Sequence, residues 1–138
     1  MKFFPMIFTL FILGLAFGCQ WFGVDSFWIS ASSLIVILTV HWFADFHLQT
    51  DEMAKNKSRC NWCLASHVGI YALMLVPFGP VYALGNGLAH FAVDWVTSRW
   101  TSHLWAKGDR HNFFVVIGFD QLLHVSILVL TIPLMGWS

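Results

Sequence analysis

The sequence predicts an all-α fold: a polytopic membrane bundle of about five transmembrane helices, with the N-terminus in the cytoplasm. Composition is the first reason. The chain is 58% apolar and only 10% charged, against roughly 25% charged in a soluble domain. The second is five apolar stretches separated by polar or Gly/Pro punctuation. The third is charge: if all five stretches span, every Lys and Arg falls on one side of the bilayer. Its 138 residues suit a single integral-membrane domain over 1–138, with a four-helix core over 27–138. Net charge is zero, so nothing electrostatic favours nucleic acid.

Residues 3–18 are the first stretch, short but near the roughly 17-residue minimum for a span. A retained helix is expected. The alternative is a signal peptide, with Lys2 before the apolar run and Leu15-Ala16-Phe17-Gly18-Cys19 as a poor lipobox. Phe17 fits badly where a signal peptidase wants a small residue. Residues 27–46 form the second stretch. Residues 63–76 form the third, stopped at Pro77-Phe78-Gly79-Pro80, where two prolines bar continuation. Residues 81–105 form the fourth. Residues 113–135 form the fifth, ended by Pro133 and Gly136.

Lys2 precedes the first stretch; Lys55, Lys57 and Arg59 follow the second; Arg99, Lys107 and Arg110 lie at or after the end of the fourth. Loops 19–26 and 77–80 carry no basic residue. The positive-inside rule therefore places the basic side, and with it the N-terminus, in the cytoplasm. Trp21, Trp28 and Trp137 mark the outer interface on this topology, and Trp62, Trp100 and Trp105 the inner one.

Three carboxylates inside this apolar sequence each have a histidine four residues away: His41/Asp45, His90/Asp94 and Asp120/His124. On a helix such pairs share a face. With 7 His in 138 residues, an acid has a His at plus or minus four roughly 10% of the time, so three of three is on the order of one in a thousand. An ionisable group in a membrane segment marks function by default. The topology also sets the three pairs and His67 at one depth, the cytosolic half, at 1.5 Å per residue. These residues read as one metal site: His41, Asp45, His67, His90, Asp94, Asp120 and His124. Imidazole and carboxylate suit zinc first, and also manganese or iron. A cation also neutralises three acids that each cost a few kcal/mol at such depth. Sequence leaves open whether two metals bind or some residues only orient others. Trp42 and Trp95 adjoin the site residues. The competing reading is plain hydrogen bonding between helices, worth roughly 0.6 kcal/mol per pair.

Gln49 falls four after Asp45 and would extend the polar stripe if the second helix runs on. Thr50 is a candidate cap, and Lys57 and Arg99 are candidate holders of an anionic substrate, with Arg99 otherwise a snorkelling anchor. His47, His103 and His111 read as interfacial. The odd count of cysteines, Cys19, Cys60 and Cys63, gives no disulfide framework. Cys60 and Cys63 form a lone CxxC, half a zinc ribbon, and read as two reduced cytosolic thiols.

The run Asp45-Phe46-His47-Leu48-Gln49-Thr50, continued by Met53-Ala54 and Lys57, resembles an uncharacterised family of small multi-pass membrane proteins of bacteria and phages, catalogued as domain of unknown function 3307. The similarity continues through His67 with Tyr71, His90 and Asp94 with Ser98 and Arg99, and Asp120-Gln121 with His124, over about residues 38–130. Cys60 and Cys63 depart from the pattern. The resemblance implies a multi-pass protein of a bacterial inner membrane and assigns no activity. By spacing alone, the paired His and Asp are also similar to helical zinc-dependent phospholipases and nucleases, and to metal-dependent hydrolases of bacterial inner membranes.

The expected function is a metal-dependent hydrolase acting on a lipid or another ester or phosphoester at the cytosolic leaflet. His67, Asp94 and Asp120 are its candidate catalytic residues; Gln49, Lys57 and Arg99 are its candidate substrate contacts. A cation transporter or sensor could use the same ligands, though no internal repeat appears. A non-enzymatic phage or host membrane interaction protein is the third reading. Partners expected are the bilayer, an amphipathic substrate and a second copy of the chain, since five helices make a small bundle.

Overall fold

The structure, a computed structural model, describes residues 26–135, with side-chain environments from residue 31 onward. The fold class is all-α: 89% of the described residues are helical and none is in a strand. The expected first helix at 3–18, its signal-peptide alternative, Cys19, the places of Trp21 and Trp137, and the side chain of Trp28 lie outside the described residues. The chain divides into two compact units at His47–Leu48.

In the first unit, helix α1 spans Ser26–Trp42 and passes into a π turn at Phe43–His47. A wider turn of this kind is rare and is often found at functional sites. The His47 ring stacks on Phe43 with centroids 4.6 Å apart. The helix does not run on to Gln49, contrary to the reading of an extended polar stripe. Leu48, Gln49 and Thr50 lie outside regular helix, and Thr50 instead caps the next helix, accepting from the Met53 N–H at 3.2 Å. Local capping of a new start, with Asp51 and Glu52 favoured by the helix dipole, competes successfully with continuation.

The second unit holds α2 (Asp51–Asn56), α3 (Asn61–Leu75), a 3-10 turn (Val76–Phe78), α4 (Pro80–Lys107), α5 (Arg110–Leu130) and a last 3-10 turn (Ile132–Leu134). Gly79, at φ 130°, makes the bend from α3 into α4, and Pro80 opens α4, where a missing N–H costs nothing. The α4 helix ends on Gly108 in the left-handed region. Asp109 caps α5, accepting from Asn112 N–H at 3.2 Å. Helix α5 stops at Leu130, earlier than the expected 135. Pro133 has no N–H to offer the carbonyl four residues back, and the Thr131 hydroxyl donates to the Ile127 carbonyl at 2.7 Å.

Helix α4 packs against both α3 and α5. A Cβ on Gly87 would stand 2.9 Å from Ala72 Cβ, so α3 and α4 meet almost backbone to backbone. Gly87→Ala gains roughly 0.5–1 kcal/mol of helix propensity, but overpacking costs about 1–3 kcal/mol. The expected outcome is a lower thermal midpoint in detergent. A midpoint equal to or above that of the wild type would contradict the close approach. Toward α5, the Tyr82 hydroxyl donates to the Leu128 carbonyl at 3.1 Å. Asn86 Nδ2 donates to Thr131 Oγ1 at 2.9 Å. This brace ties the start of α4 to the end of α5.

Beside an apolar core that includes Leu64, Tyr71, Leu75 and Leu128, the second unit buries a polar stripe and exposes many large apolar side chains. His67, Asn86, His90, Asp94, Thr97 and His124 are buried, while Leu73, Leu84, Leu88, Phe114, Leu122 and Leu130 are exposed. Among the described residues, two stretches, Asn61–Phe78 and Arg110–Leu130, are long and apolar enough to cross a membrane, against the five spans expected. Helix α4 is longer, at 28 residues, but its buried stripe of Asn, His, Asp, Thr and Ser lowers its apolar content.

Candidate metal centre

The ligand-bearing side chains of the second unit come from three helices. Helix α3 supplies His67, α4 supplies His90 and Asp94, and α5 supplies Asp120 and His124. The four-residue spacing works as the helix period requires: His90 Nε2 lies 3.6 Å from Asp94 Oδ2, and His124 Nε2 lies 3.4 Å from Asp120 Oδ1.

Asp94 is the hub. Its Oδ2 is 3.5 Å from His67 Nε2 and accepts from the Lys57 ammonium at 2.8 Å. Its Oδ1 is 3.3 Å from His124 Nε2. The Asp94 side chain is 2% exposed and that of Lys57 19%, so the carboxylate is desolvated and the ammonium reaches it from the rim. His67 Nε2 and His90 Nε2 face one another at 3.1 Å. Two like ring nitrogens at that distance need either one proton between them or a common cation.

Ring packing fixes the imidazoles. His90 is sandwiched between Tyr71 and His124, with centroids 4.0 Å away on each side and interplanar angles of 24° and 20°. Asp120 is held by the Thr97 hydroxyl at 2.6 Å and by Gln121 Nε2 at 3.2 Å. The ligand atoms of His67, His90 and Asp94, and separately those of Asp94, Asp120 and His124, lie within 4.8 Å of one another. Both groups have the donor chemistry of a divalent-cation site.

Five of the seven candidate ligands are thus brought together within one unit, along with Lys57. His41, on α1, and Asp45, in the π turn, are buried in the first unit. Arg99 goes elsewhere: it donates to the Trp95 carbonyl at 2.6 Å and to Asn61 Oδ1 at 2.8 Å, with its guanidinium 4.3 Å from the Trp95 ring centroid. The Gln49 amide nitrogen is buried with no hydrogen-bond partner among the described residues. His47, His103 and His111 are exposed.

Sequence reasoning missed Thr97 and gave Gln121 no role at the site. Thr97 follows His90 and Asp94 at the next step of the same helical stripe, so the i, i+4, i+7 spacing was the available signal. Gln121 stood out through its place in the family motif beside Asp120.

The CxxC lies at the start of α3. Cys60 caps the helix, its Sγ accepting from the Cys63 N–H at 3.2 Å, and both thiols are free and half-buried. The hydrogen bond from the Cys63 side chain, then the backbone one, hold the pKa of the Cys60 thiol below its ordinary value. Iodoacetamide at neutral pH is expected to alkylate Cys60 before Cys63, read by peptide mass spectrometry. Equal rates, or Cys63 first, would contradict this arrangement.

No curated protein and no solved structure matches the chain. The looser likeness to metal-dependent hydrolases is therefore not shown. The resemblance carried by the Asp45–Lys57 run and the His and Asp pairs is shown: the profile described as protein of unknown function (DUF3307) matches residues 33–138. On that match, the chain belongs to the DUF3307 family.

Proposed function

We propose that this protein is a membrane-embedded, metal-dependent hydrolase whose centre acts on ester or phosphoester bonds of lipids or other amphipathic molecules at the cytosolic leaflet. The observation that carries the reading is the triangle of His67 Nε2, His90 Nε2 and Asp94 Oδ2, with edges of 3.1, 3.5 and 3.6 Å. A tetrahedral ion with bonds of roughly 2.0–2.1 Å sets its ligand atoms about 3.3–3.4 Å apart. One ion therefore reaches all three donors with little rearrangement. Zinc fits this donor set best; manganese or iron also suits it.

The buried polar stripe and the many exposed apolar side chains support a bilayer setting. Exposed leucines and phenylalanines on α3, α4 and α5 are stable against acyl chains, and the polar groups are shielded between helices. With the one-sided Lys and Arg, this supports a multi-pass protein of a bacterial inner membrane with its N-terminus in the cytoplasm.

A bound divalent ion would polarise an ester or phosphoryl oxygen and bring the pKa of water near 7. The chain's own residues do the rest. His67, His90 and Asp94 hold the ion. Asp120, whose side chain is 14% exposed against 2% for Asp94, is the carboxylate better placed to accept a proton from water. Thr97 and Gln121 fix its orientation. Lys57 at the rim meets the anionic part of a substrate, and Gln49 is a further candidate contact. A transporter using the same ligands needs a polar exit path. The polar side chains at the far end of α4, Tyr82 and Asn86, are bonded to Leu128 and Thr131 and act as a brace, which favours the enzyme.

The test is hydrolysis of fluorogenic acyl-ester and phosphodiester substrates by the purified full chain in detergent. Activity should disappear on chelation and return with zinc or manganese. Activity indifferent to chelator, or none in the metal-loaded protein, would remove the hydrolase reading.

A further inference from the structure

We infer that the centre holds two cations bridged by the Asp94 carboxylate, and that this pair selects a phosphate ester; the inference rests on the metal-dependent reading above. The two oxygens of Asp94 serve different partners. Oδ2 faces His67 and His90 at 3.5 and 3.6 Å, while Oδ1 faces His124 at 3.3 Å. His124 in turn is 3.4 Å from Asp120 Oδ1. Within the second unit each oxygen thus completes its own group of three donors, and Asp94 is the residue that those groups share.

One ion cannot use all five residues, because zinc takes three or four protein ligands. Two ions divide them without remainder: His67, His90 and Asp94 Oδ2 for one; Asp94 Oδ1, Asp120 and His124 for the other. The ring geometry agrees. His90 and His124 stack nearly parallel, with centroids 4.0 Å apart, and direct their Nε2 atoms to opposite oxygens of one carboxylate. Two-metal hydrolytic sites hold their ions about 3.5–4 Å apart.

Charge then selects the substrate. Within the second unit, two divalent ions and the Lys57 ammonium outweigh the carboxylates of Asp94 and Asp120. An anionic phosphate ester relieves that excess; a neutral carboxylic ester does not. Hydrolysis places the water oxygen on phosphorus and breaks the ester P–O bond. One proton of the attacking water passes to the departing alkoxide and the other stays with the phosphate, so water and a phosphodiester give a phosphate monoester and an alcohol.

The experiment is equilibrium dialysis of the full chain in detergent against zinc, with the protein-bound metal counted by mass spectrometry. Two equivalents are expected for the wild type, about one for His67→Gln and for Asp120→Asn, and none for Asp94→Asn. One equivalent in the wild type overturns the two-ion inference and leaves the metal centre standing. None overturns both. Should a variant fail to fold, the wild-type count decides by itself. A parallel assay offers bis(p-nitrophenyl) phosphate and p-nitrophenyl butyrate. At least a tenfold preference for the phosphodiester is expected, and turnover of the butyrate alone overturns the phosphate assignment.

Discussion

Asp94→Asn is expected to lower zinc affinity by more than about 100-fold, beyond the 10–100-fold seen when outer-shell partners of a metal are removed, and to abolish hydrolysis. The reason is the number of groups that converge on this one carboxylate: Lys57, His67, His90 and His124 all lie within 3.6 Å of it. The amide keeps the shape but cannot present two anionic oxygens. Asp94→Ala goes further. It leaves the Lys57 ammonium without the carboxylate it is bonded to, and breaking such a pair from one side costs about 3–5 kcal/mol. The two variants separate chemistry from folding. Asp94→Asn should retain wild-type helicity by circular dichroism while losing zinc in dialysis; Asp94→Ala should lose both helicity on mild heating and zinc. Zinc binding of wild-type strength in Asp94→Asn would show that the imidazoles alone make the site.

Lys57→Ala is expected to act in the opposite direction on metal and substrate. The ammonium sits 2.8 Å from Asp94 Oδ2 and repels a cation sharing that oxygen. A unit charge and a divalent ion about 4 Å apart interact by about 8 kcal/mol at an effective dielectric of 20. The side chain is 19% exposed, so solvent screens much of this. Retaining about a sixth leaves about 1.4 kcal/mol, or a tenfold change in affinity. Zinc should therefore bind about tenfold more tightly to Lys57→Ala, while KM for an anionic substrate rises. Competition titration with a chromophoric chelator reads the first effect and steady-state kinetics the second. Unchanged zinc affinity would show that Lys57 and the ion do not share Asp94.

Much of the site was legible in the sequence because the helix period is a strong constraint. His90/Asp94 and Asp120/His124 could be paired from spacing alone, and the structure brings their ligand atoms together with His67 from a third helix. Topology added depth, since helices running in opposite directions had to present these residues at a common level. Thr50 as a cap was equally visible, a side-chain oxygen three residues before the Met53 N–H.

What was hidden depends on competition between local and tertiary terms. The second apolar stretch reads as one helix to 46, yet its last turn widens to a π turn and Gln49 falls outside it. No hydrophobic pattern separates a π turn from an α turn. The fifth stretch stays apolar to 135, so composition hid the stop at Leu130 that Pro133 and the Thr131 hydroxyl impose. Lys57 and Arg99 looked alike as basic residues near the inner surface. Only packing distinguishes them: Lys57 reaches the buried Asp94, whereas Arg99 is spent on the Trp95 carbonyl and Asn61.

X-ray absorption at the zinc edge of the purified, zinc-loaded chain tests the central claim most directly. A shell of nitrogen and oxygen ligands at about 2.0–2.1 Å, with the outer-shell scattering of imidazole, is the predicted result. No metal above background, or a sulfur shell at about 2.3 Å from Cys60 and Cys63, would contradict it.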